Sequence, residues 1–119
     1  MTAVLVAYVI VAIVAAGANL YGASADLRRA DWIIANMDRL GVSLDRLPLL
    51  GGLKVAGAVG LLVGIGVPLV GVAAGIGLVL FFVGAIVTVI GVRWYAHLPY
   101  TATFLLLAVA ALALWVTSL

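Results

Sequence analysis

Four long apolar stretches dominate the hydrophobic pattern of the chain. A helix needs about 20 apolar residues to cross the hydrocarbon core of a bilayer, and each stretch is about that long. The link between the second and third stretches, around Val67-Pro68-Leu69, is so short that these two must form an antiparallel hairpin. The pattern therefore predicts an all-α integral membrane protein, a single four-helix bundle over residues 1–119. The predicted spans cover about residues 4–21, 49–67, 69–92 and 98–119.

One polar segment, between the first two stretches, also has helical periodicity. Its apolar side chains fall within one stripe of roughly 140°, with most charged residues opposite. Ser24 has the properties of an N-cap and Gly41 those of a helix stop. We predict an amphipathic helix over about residues 25–40, lying at the membrane interface. Three roles stay open: packing on its own bundle, docking a partner, or sensing lipid. The apolar positions are Leu27, Ala30, Ile33, Ile34, Met37 and Leu40.

Composition supports a membrane protein and excludes several kinds of chemistry. The chain is 68% hydrophobic and 8% charged, whereas soluble domains carry about 25% charged residues. It has no cysteine and one histidine, which excludes disulfides and cysteine ligands and argues against a metal site. A net charge of +2 without a basic run gives no sign of nucleic-acid binding. The preference for Ala, Val, Gly and Arg is typical of a GC-rich bacterial genome, so we expect the bacterial plasma membrane.

Basic side chains indicate the orientation, because Lys and Arg near span ends favour the cytoplasm. They gather in the first and third loops, which predicts that these loops are cytoplasmic and that both termini are extracytoplasmic. Aromatic side chains, which anchor spans at the interface, follow the same division. The basic residues are Arg28, Arg29, Arg39 and Arg46 in the first loop and Arg93 in the third. The predicted anchors are Tyr21, Trp32, Trp94, Tyr95 and Tyr100 at this interface and Trp115 at the other.

Lys54 is the only lysine and lies inside the second span. It is five residues from Leu49, about 7.5 Å along the helix, so its ammonium can reach back to the interface. Snorkelling is the interpretation we favour. Pairing with a bundle partner or with a ligand, such as an anionic headgroup or a quinone oxygen, is the alternative.

Four polar residues fall at the cytoplasmic ends of the spans and form our candidate ligand site. Together they would line a polar vestibule at the mouth of the bundle, although polar residues also collect at span ends by chance. They include no set suited to acid–base or nucleophilic catalysis, so we expect no catalytic residues. The candidates are Asn19, Lys54, Arg93 and His97.

Small residues recur at helical spacing in the second and third spans. Such ridges let helix backbones approach closely in lipid, so we expect them to pack helices within the chain or between copies. The predicted packing residues are Ala56, Gly60, Gly64, Gly71, Gly75, Gly77, Gly84 and Gly91.

The segment "LPLLGGLKVAGAVGLLVGIGVPLVGVAAGIGL", followed by "FFVGAIVTVIGVRW", resembles sequences of the DoxX-like family of small bacterial membrane proteins. The resemblance implies a four-helix membrane bundle and favours partner binding, since relatives range from a subunit of a thiosulfate:quinone oxidoreductase to assembly chaperones. Lys54 stands where many members carry an acidic residue, and the only histidine is His97 rather than one late in the third span. The matching positions are Leu50, Gly52, Leu53, Gly57, Ala58, Gly60, Leu61, Leu62, Gly64, Pro68, Ala73 and Gly84.

These observations lead to two functional hypotheses. The first is a non-catalytic accessory, scaffold or stabilising subunit of a larger membrane complex, a redox or respiratory one among the options. The alternative is a quinone- or lipid-binding, redox-linked membrane protein with a polar site at the cytoplasmic mouth. A transporter is disfavoured, because no ionisable residue lies near the midplane. The partners we expect are membrane lipids, other membrane-protein subunits or a second copy of the chain. No cofactor is predicted, although a quinone or a lipid could be bound.

Overall fold

A computed structural model describes residues 3–118 of the chain. Within these residues, four helical segments are long and apolar enough to cross a membrane, two of them together with the 3₁₀ turn that precedes the helix. A shorter helix, α2, lies in the first loop. This confirms the predicted all-α membrane bundle. The helices are α1 (Ala3–Leu27), α2 (Asp31–Leu40), α3 (Leu47–Val63), α4 (Pro68–Gly91) and α5 (Leu98–Ser118), with 3₁₀ turns at Leu44–Arg46 and Tyr95–His97.

The four long helices form a ring. α1 packs against α3 and α5, and α4 packs against the same two helices. The longest dimension is 46 Å, close to the thickness of a bilayer with its headgroups, about 40–45 Å. Apolar side chains from all four helices meet along the axis of the ring. The buried core comprises Tyr8, Ala12, Ala15, Leu61, Leu78, Phe82, Ala108, Ala111 and Trp115.

The hairpin of α3 and α4 is closest at its tip. Gly64 lies against the backbone of Gly71, and a Cβ added at Gly60 would be 2.6 Å from the Cβ of Ala74. Only glycine permits this approach, and close backbones gain dispersion contacts that stabilise helix pairs in lipid. Small residues therefore hold the two helices together at the end away from the first loop.

Trp115 of α5 closes the core beside this tip. Its ring stacks on Tyr8 with centroids 4.5 Å apart, and its Nε1–H donates to the carbonyl oxygen of Pro68 at 2.9 Å. The residue is 5% exposed. The sequence predicts Trp115 as an interfacial anchor, but its ring lies in the core, because both its apolar body and its N–H find partners there.

The first helix is longer, and α2 shorter, than predicted. α1 continues to Leu27, so Ser24 lies inside it, and α2 begins only at Asp31. Helix α1 continues because Ala23, Ala25 and Asp26 are buried rather than part of a solvated loop. The N-cap prediction for Ser24 is therefore wrong.

Three helices end in the same way at this end of the bundle. A residue with positive φ follows each of them: Arg29 (φ 51°), Gly41 (φ 71°) and Arg93 (φ 57°). The next N–H then reaches back five residues, from Ala30 to Ala25, from Val42 to Met37 and from Trp94 to Val89, each at 3.0 Å. This closure satisfies carbonyls that the helix leaves free. It confirms Gly41 as the stop of α2.

Part of the small-residue pattern faces outward. Gly77, Gly84 and Gly91 are exposed, and no atom of the described chain lies within 4 Å of a Cβ added at any of them. Ala56 is exposed too. Gly77, Gly84 and Gly91 therefore pack against no other helix of the described residues, whereas Gly60, Gly64, Gly71 and Gly75 lie close to neighbouring helices.

Candidate functional site

Lys54 forms an ion pair with Asp26. Its Nζ lies 2.9 Å from Asp26 Oδ2, and the two side chains are 15% and 4% exposed. The lysine side chain lies along Gly22, one turn before Asp26, where an added Cβ would be in ordinary van der Waals contact with it, 3.4 Å from Nζ. The snorkelling interpretation is wrong, and the alternative of a partner within the bundle holds, because α1 extends far enough to bring a carboxylate to Lys54.

A cavity of about 410 Å³ lies beside this pair, between α2, the start of α3, the end of α4 and the start of α5. Its wall is mostly apolar, as in typical small-molecule sites. Among the described residues that line it, only Asp26 and Lys54 carry a full charge. The other polar lining residues are Asn36, Thr88, His97, Tyr100 and Thr101.

Aromatic rings form a continuous arc along the cavity. His97 ends the 3₁₀ turn that leads into α5, and Tyr100 and Phe104 follow it in α5 at spacings of three and four residues, so the three side chains lie on one side of this segment. The arc meets the ion pair at its far end, where Lys54 Nζ lies 5.8 Å from the ring centroid of Phe81. The centroid distances are 4.1 Å for Trp94–His97, 5.1 Å for His97–Tyr100, 5.1 Å for Tyr100–Phe104, 5.3 Å for Phe104–Phe82 and 5.0 Å for Phe82–Phe81.

Helix α2 covers the cavity. Ile33 and Met37 are buried in a small apolar cluster with Ala25 and Leu47, and their helix also contributes Trp32, Asn36 and Leu40 to the lining. Aromatic contacts hold both ends of this cover. Trp32 stacks on Tyr21 at 6.4 Å, and the Arg39 guanidinium lies 4.4 Å from the ring centroid of Trp94, a favourable cation–π geometry.

The structure brings together two of the four candidate polar residues. Lys54 and His97 both line the cavity, whereas Asn19 and Arg93 do not. Arg93 is exposed. Asn19 is 1% exposed, and its Nδ2 donates to the carbonyl of Ala15 at 2.8 Å, while its Oδ1 has no partner among residues 3–118. A ligand role for the four remains a prediction.

The predicted anchors other than Trp115 gather at the same end as the cavity. Tyr21, Tyr95 and Tyr100 are largely exposed, while Trp32 and Trp94 make the contacts that hold α2. Their position supports an interface at this end. Whether they meet lipid headgroups stays a prediction.

Two parts of the site, Asp26 and the rings of Phe81 and Phe82, were not predicted from the sequence. Asp26 falls in the predicted amphipathic helix over about residues 25–40, yet Asn19, Gly22, Ala23 and Asp26 follow one helix face at spacings of three and four. That run of small residues ending in an acid was the available signal. Phe81 and Phe82 gave no such signal, because their place in the arc depends on how α4 is rotated against α5.

The site can bind a small molecule through several kinds of contact. The rings offer flat apolar faces, Lys54 and Tyr100 offer donors, and Asp26 offers an acceptor. The lysine is already compensated by the carboxylate, so the floor of the cavity has no net charge. Within the described part of the chain, no three His, Cys, Asp or Glu side chains come close enough to hold a metal ion.

Comparison with known proteins gives one family. A search of curated proteins finds no significant similarity to this chain, and neither does a search of solved structures. The sequence profile of the DoxX-like family matches residues 4–111, which is nearly the whole chain. The chain therefore belongs to the DoxX-like family of membrane proteins.

Proposed function

We propose that the protein binds a membrane-soluble small molecule, a quinone or a lipid, in the cavity beneath α2. The observation that carries the proposal is the cavity itself: about 410 Å³ walled by an arc of rings that ends at a buried ion pair. Ligand sites typically combine such apolar walls with a few polar groups that set orientation.

The chemistry of the wall favours a ring with carbonyl oxygens. A flat ring would stack against Tyr100 or Phe104, as aromatic pairs do. A carbonyl oxygen would accept a hydrogen bond from the Lys54 ammonium, which has donors beyond the one used by Asp26. Any redox step would belong to the bound molecule, and the protein would supply binding and orientation.

The proposal includes the orientation of the chain. Arginines concentrate in the first and third loops, and this bias favours a cytoplasmic location for them. The cavity would then open near the cytoplasmic surface of a bacterial plasma membrane, with both termini on the opposite side.

A second candidate function is that of an accessory or stabilising subunit of a larger membrane complex. The exposed positions Gly77 and Gly91 of α4 support it, because a Cβ added at either of them meets no atom of the described residues within 4 Å. Small residues on an outer helix face permit close approach of another helix. The two functions are compatible, since a subunit can also hold a ligand.

Native mass spectrometry of the protein released from its own membrane in a mild detergent tests both candidates. The variant Thr88→Phe fills the cavity, because Thr88 lines it. Thr103→Phe is the matched control: both hydroxyls bond to the carbonyl four residues back, but Thr103 does not line the cavity.

A small molecule retained by the wild type and by Thr103→Phe, but lost from Thr88→Phe, supports the binding proposal. A wild-type chain that carries no small molecule contradicts it. Other polypeptides released with the chain at fixed stoichiometry support the subunit function, whichever result the cavity gives.

A further inference from the structure

A second concave surface lies directly beside the cavity. This groove, about 470 Å³ in volume, runs over the outer face of α3 and α4. Leu53 and Phe81 line both the groove and the cavity, so the two concave surfaces meet at these two side chains. The other groove residues are Ala56, Gly57, Ala73, Ala74, Gly77, Leu78 and Leu80.

The groove is apolar and open outward. None of its lining residues has a polar or charged side chain. Its edges, including Leu53, Ala56, Ala73 and Gly77, are exposed. Gly57 and Leu78 close its floor, since a Cβ at Gly57 would collide with the leucine side chain. At Gly77 the chain leaves open space, so the groove holds room that a side chain does not fill.

The groove points into the membrane. It begins at Leu53 and Phe81, next to the ion pair, and continues past Gly57 and Gly77 toward Ala73, nearer the hairpin tip. The cavity is at the loop end of the bundle, and the groove thus extends from it toward the middle of the helices. An amphiphile in a membrane has the same arrangement: its polar head lies near the interface, as the cavity does, and its apolar tail lies deeper, as the groove does.

We infer that the ligand is an amphiphile whose uncharged ring occupies the cavity and whose apolar tail lies in the groove, with Leu53 and Phe81 at the junction. This inference rests on the proposed function and extends it. The ring is uncharged because Asp26 already compensates Lys54, so a charged head would leave one unpaired charge in a low-dielectric site, which is costly. The tail is apolar because the groove offers no polar contact.

Binding of two quinones to the purified full-length protein in lipid nanodiscs tests the inference. One probe is 2,3-dimethoxy-5-methyl-benzoquinone without a tail, and the other is the same ring with a decyl tail. Both would quench Trp32, which lines the cavity, and Trp32→Phe identifies that part of the signal. The measured quantity is the ratio of the two affinities.

Two variants block the groove and one serves as a control. Gly77→Leu and Ala73→Leu place side chains into the groove at exposed positions. Gly17→Leu adds the same bulk in the middle of α1, where a Cβ also meets no atom within 4 Å and neither concave surface is lined by the residue.

We expect the affinity gain from the tail to fall about tenfold in both groove variants, equivalent to about 1.4 kcal/mol. It should be unchanged in Gly17→Leu, and the tail-less ring should bind all variants equally. An unchanged ratio in both groove variants overturns the inference while leaving ring binding intact. If neither quinone binds the wild type, the proposed function fails with it. If Gly77→Leu instead shifts the oligomeric state at an unchanged ratio, a second copy occupies the groove and the inference is wrong.

Discussion

Lys54 and Asp26 join the start of α3 to the end of α1 through an ion pair with 2.9 Å between Nζ and Oδ2. Neither charge reaches water freely, since the side chains are 15% and 4% exposed. Each residue accounts for the position of the other: the lysine keeps a carboxylate within the bundle, and the carboxylate keeps the lysine from turning to the interface. The pair also closes one end of the cavity.

Removing one member of this pair should destabilise the fold more than removing both. We expect Lys54→Met and Asp26→Asn each to lower the free energy of unfolding by about 3 kcal/mol, because each leaves a buried charge unpaired. The double variant should lose less than either single one. Equilibrium unfolding in detergent measures all three.

Asp45→Asn is the matched control for this cycle, because Asp45 is exposed, and it should change stability by less than about 0.5 kcal/mol. If the two single substitutions and the double one have additive effects, Lys54 and Asp26 are not coupled and the ion pair does not stabilise the bundle.

Adding a methyl group at the hairpin tip should separate α3 from α4. In Gly64→Ala the new Cβ meets the backbone of Gly71, which cannot rotate away, so we expect a loss of about 1–3 kcal/mol from overpacking. In Gly77→Ala, in the same hairpin, the new Cβ meets no atom of the described residues within 4 Å, so this variant should gain about 0.5–1 kcal/mol from helix propensity. The midpoints of thermal unfolding of the two variants, measured side by side, test this difference. Equal midpoints would contradict the close contact between Gly64 and Gly71.

The left-handed arginines should be replaceable by glycine with a gain in stability. Arg93 has φ 57° after α4, a conformation that costs a residue with a Cβ about 1–2 kcal/mol. Arg93→Gly should therefore raise the free energy of unfolding by about 1 kcal/mol. Arg28→Gly, one residue before the left-handed Arg29, relieves no such strain and should bring no gain. Equal effects of the two substitutions in chemical denaturation would argue against the strained turn.

His97 should contribute a hydrogen bond to the ligand in addition to its ring contacts. The variant His97→Phe keeps a ring between Trp94 and Tyr100 but removes both nitrogens. Loss of one hydrogen bond of about 1–1.5 kcal/mol would lower the affinity for a benzoquinone about tenfold. Tyr95→Phe, outside the cavity lining, is the control. Titration of tryptophan quenching gives both affinities, and an unchanged value for His97→Phe would limit the histidine to stacking.

Single cysteines should report the orientation of the bundle, since the chain has none of its own. Ser43→Cys in the first loop and Ala96→Cys in the third should react with a membrane-impermeant maleimide only when the cytoplasmic face is accessible. Gly66→Cys at the hairpin tip should react in intact cells. The reverse labelling pattern would invert the orientation while leaving the fold unchanged.

The fold could be predicted from the sequence because its strongest signal is the length of each apolar stretch. The thickness of the bilayer fixes how many apolar residues a helix needs to cross it. The position of Lys54 could not be read correctly by the same logic. Its surroundings depend on Asp26, and an acid after an apolar stretch predicts the start of a polar segment at the interface rather than the continuation of the span. Two charges that are each unfavourable in lipid become acceptable together, and a residue-by-residue reading does not detect this.

The candidate site could be predicted only in part, because the spacing of residues along one helix can be read from the sequence but the packing between helices cannot. The spacing of three and four residues alone places His97, Tyr100 and Phe104 on one side of the segment that begins with the 3₁₀ turn and continues into α5. Their contact with Phe82 depends on how α4 is rotated, and packing between the helices decides that rotation. Trp115 shows the same limit, since its depth in the core depends on Tyr8 and on the carbonyl of Pro68. Periodicity shows which residues share a face of one helix, but it does not show which faces of two different helices pack against each other.

The close contact of Gly64 with Gly71 has a consequence for how this architecture can diversify. The hairpin is fixed at one end by backbone against backbone, while the wall residues that face the cavity lie at the other end. Substitutions in that wall can alter which molecule fits without disturbing the contact that sets the angle between the helices. A single scaffold of this kind can therefore be adapted to unrelated ligands by changing a few of the side chains that line the cavity.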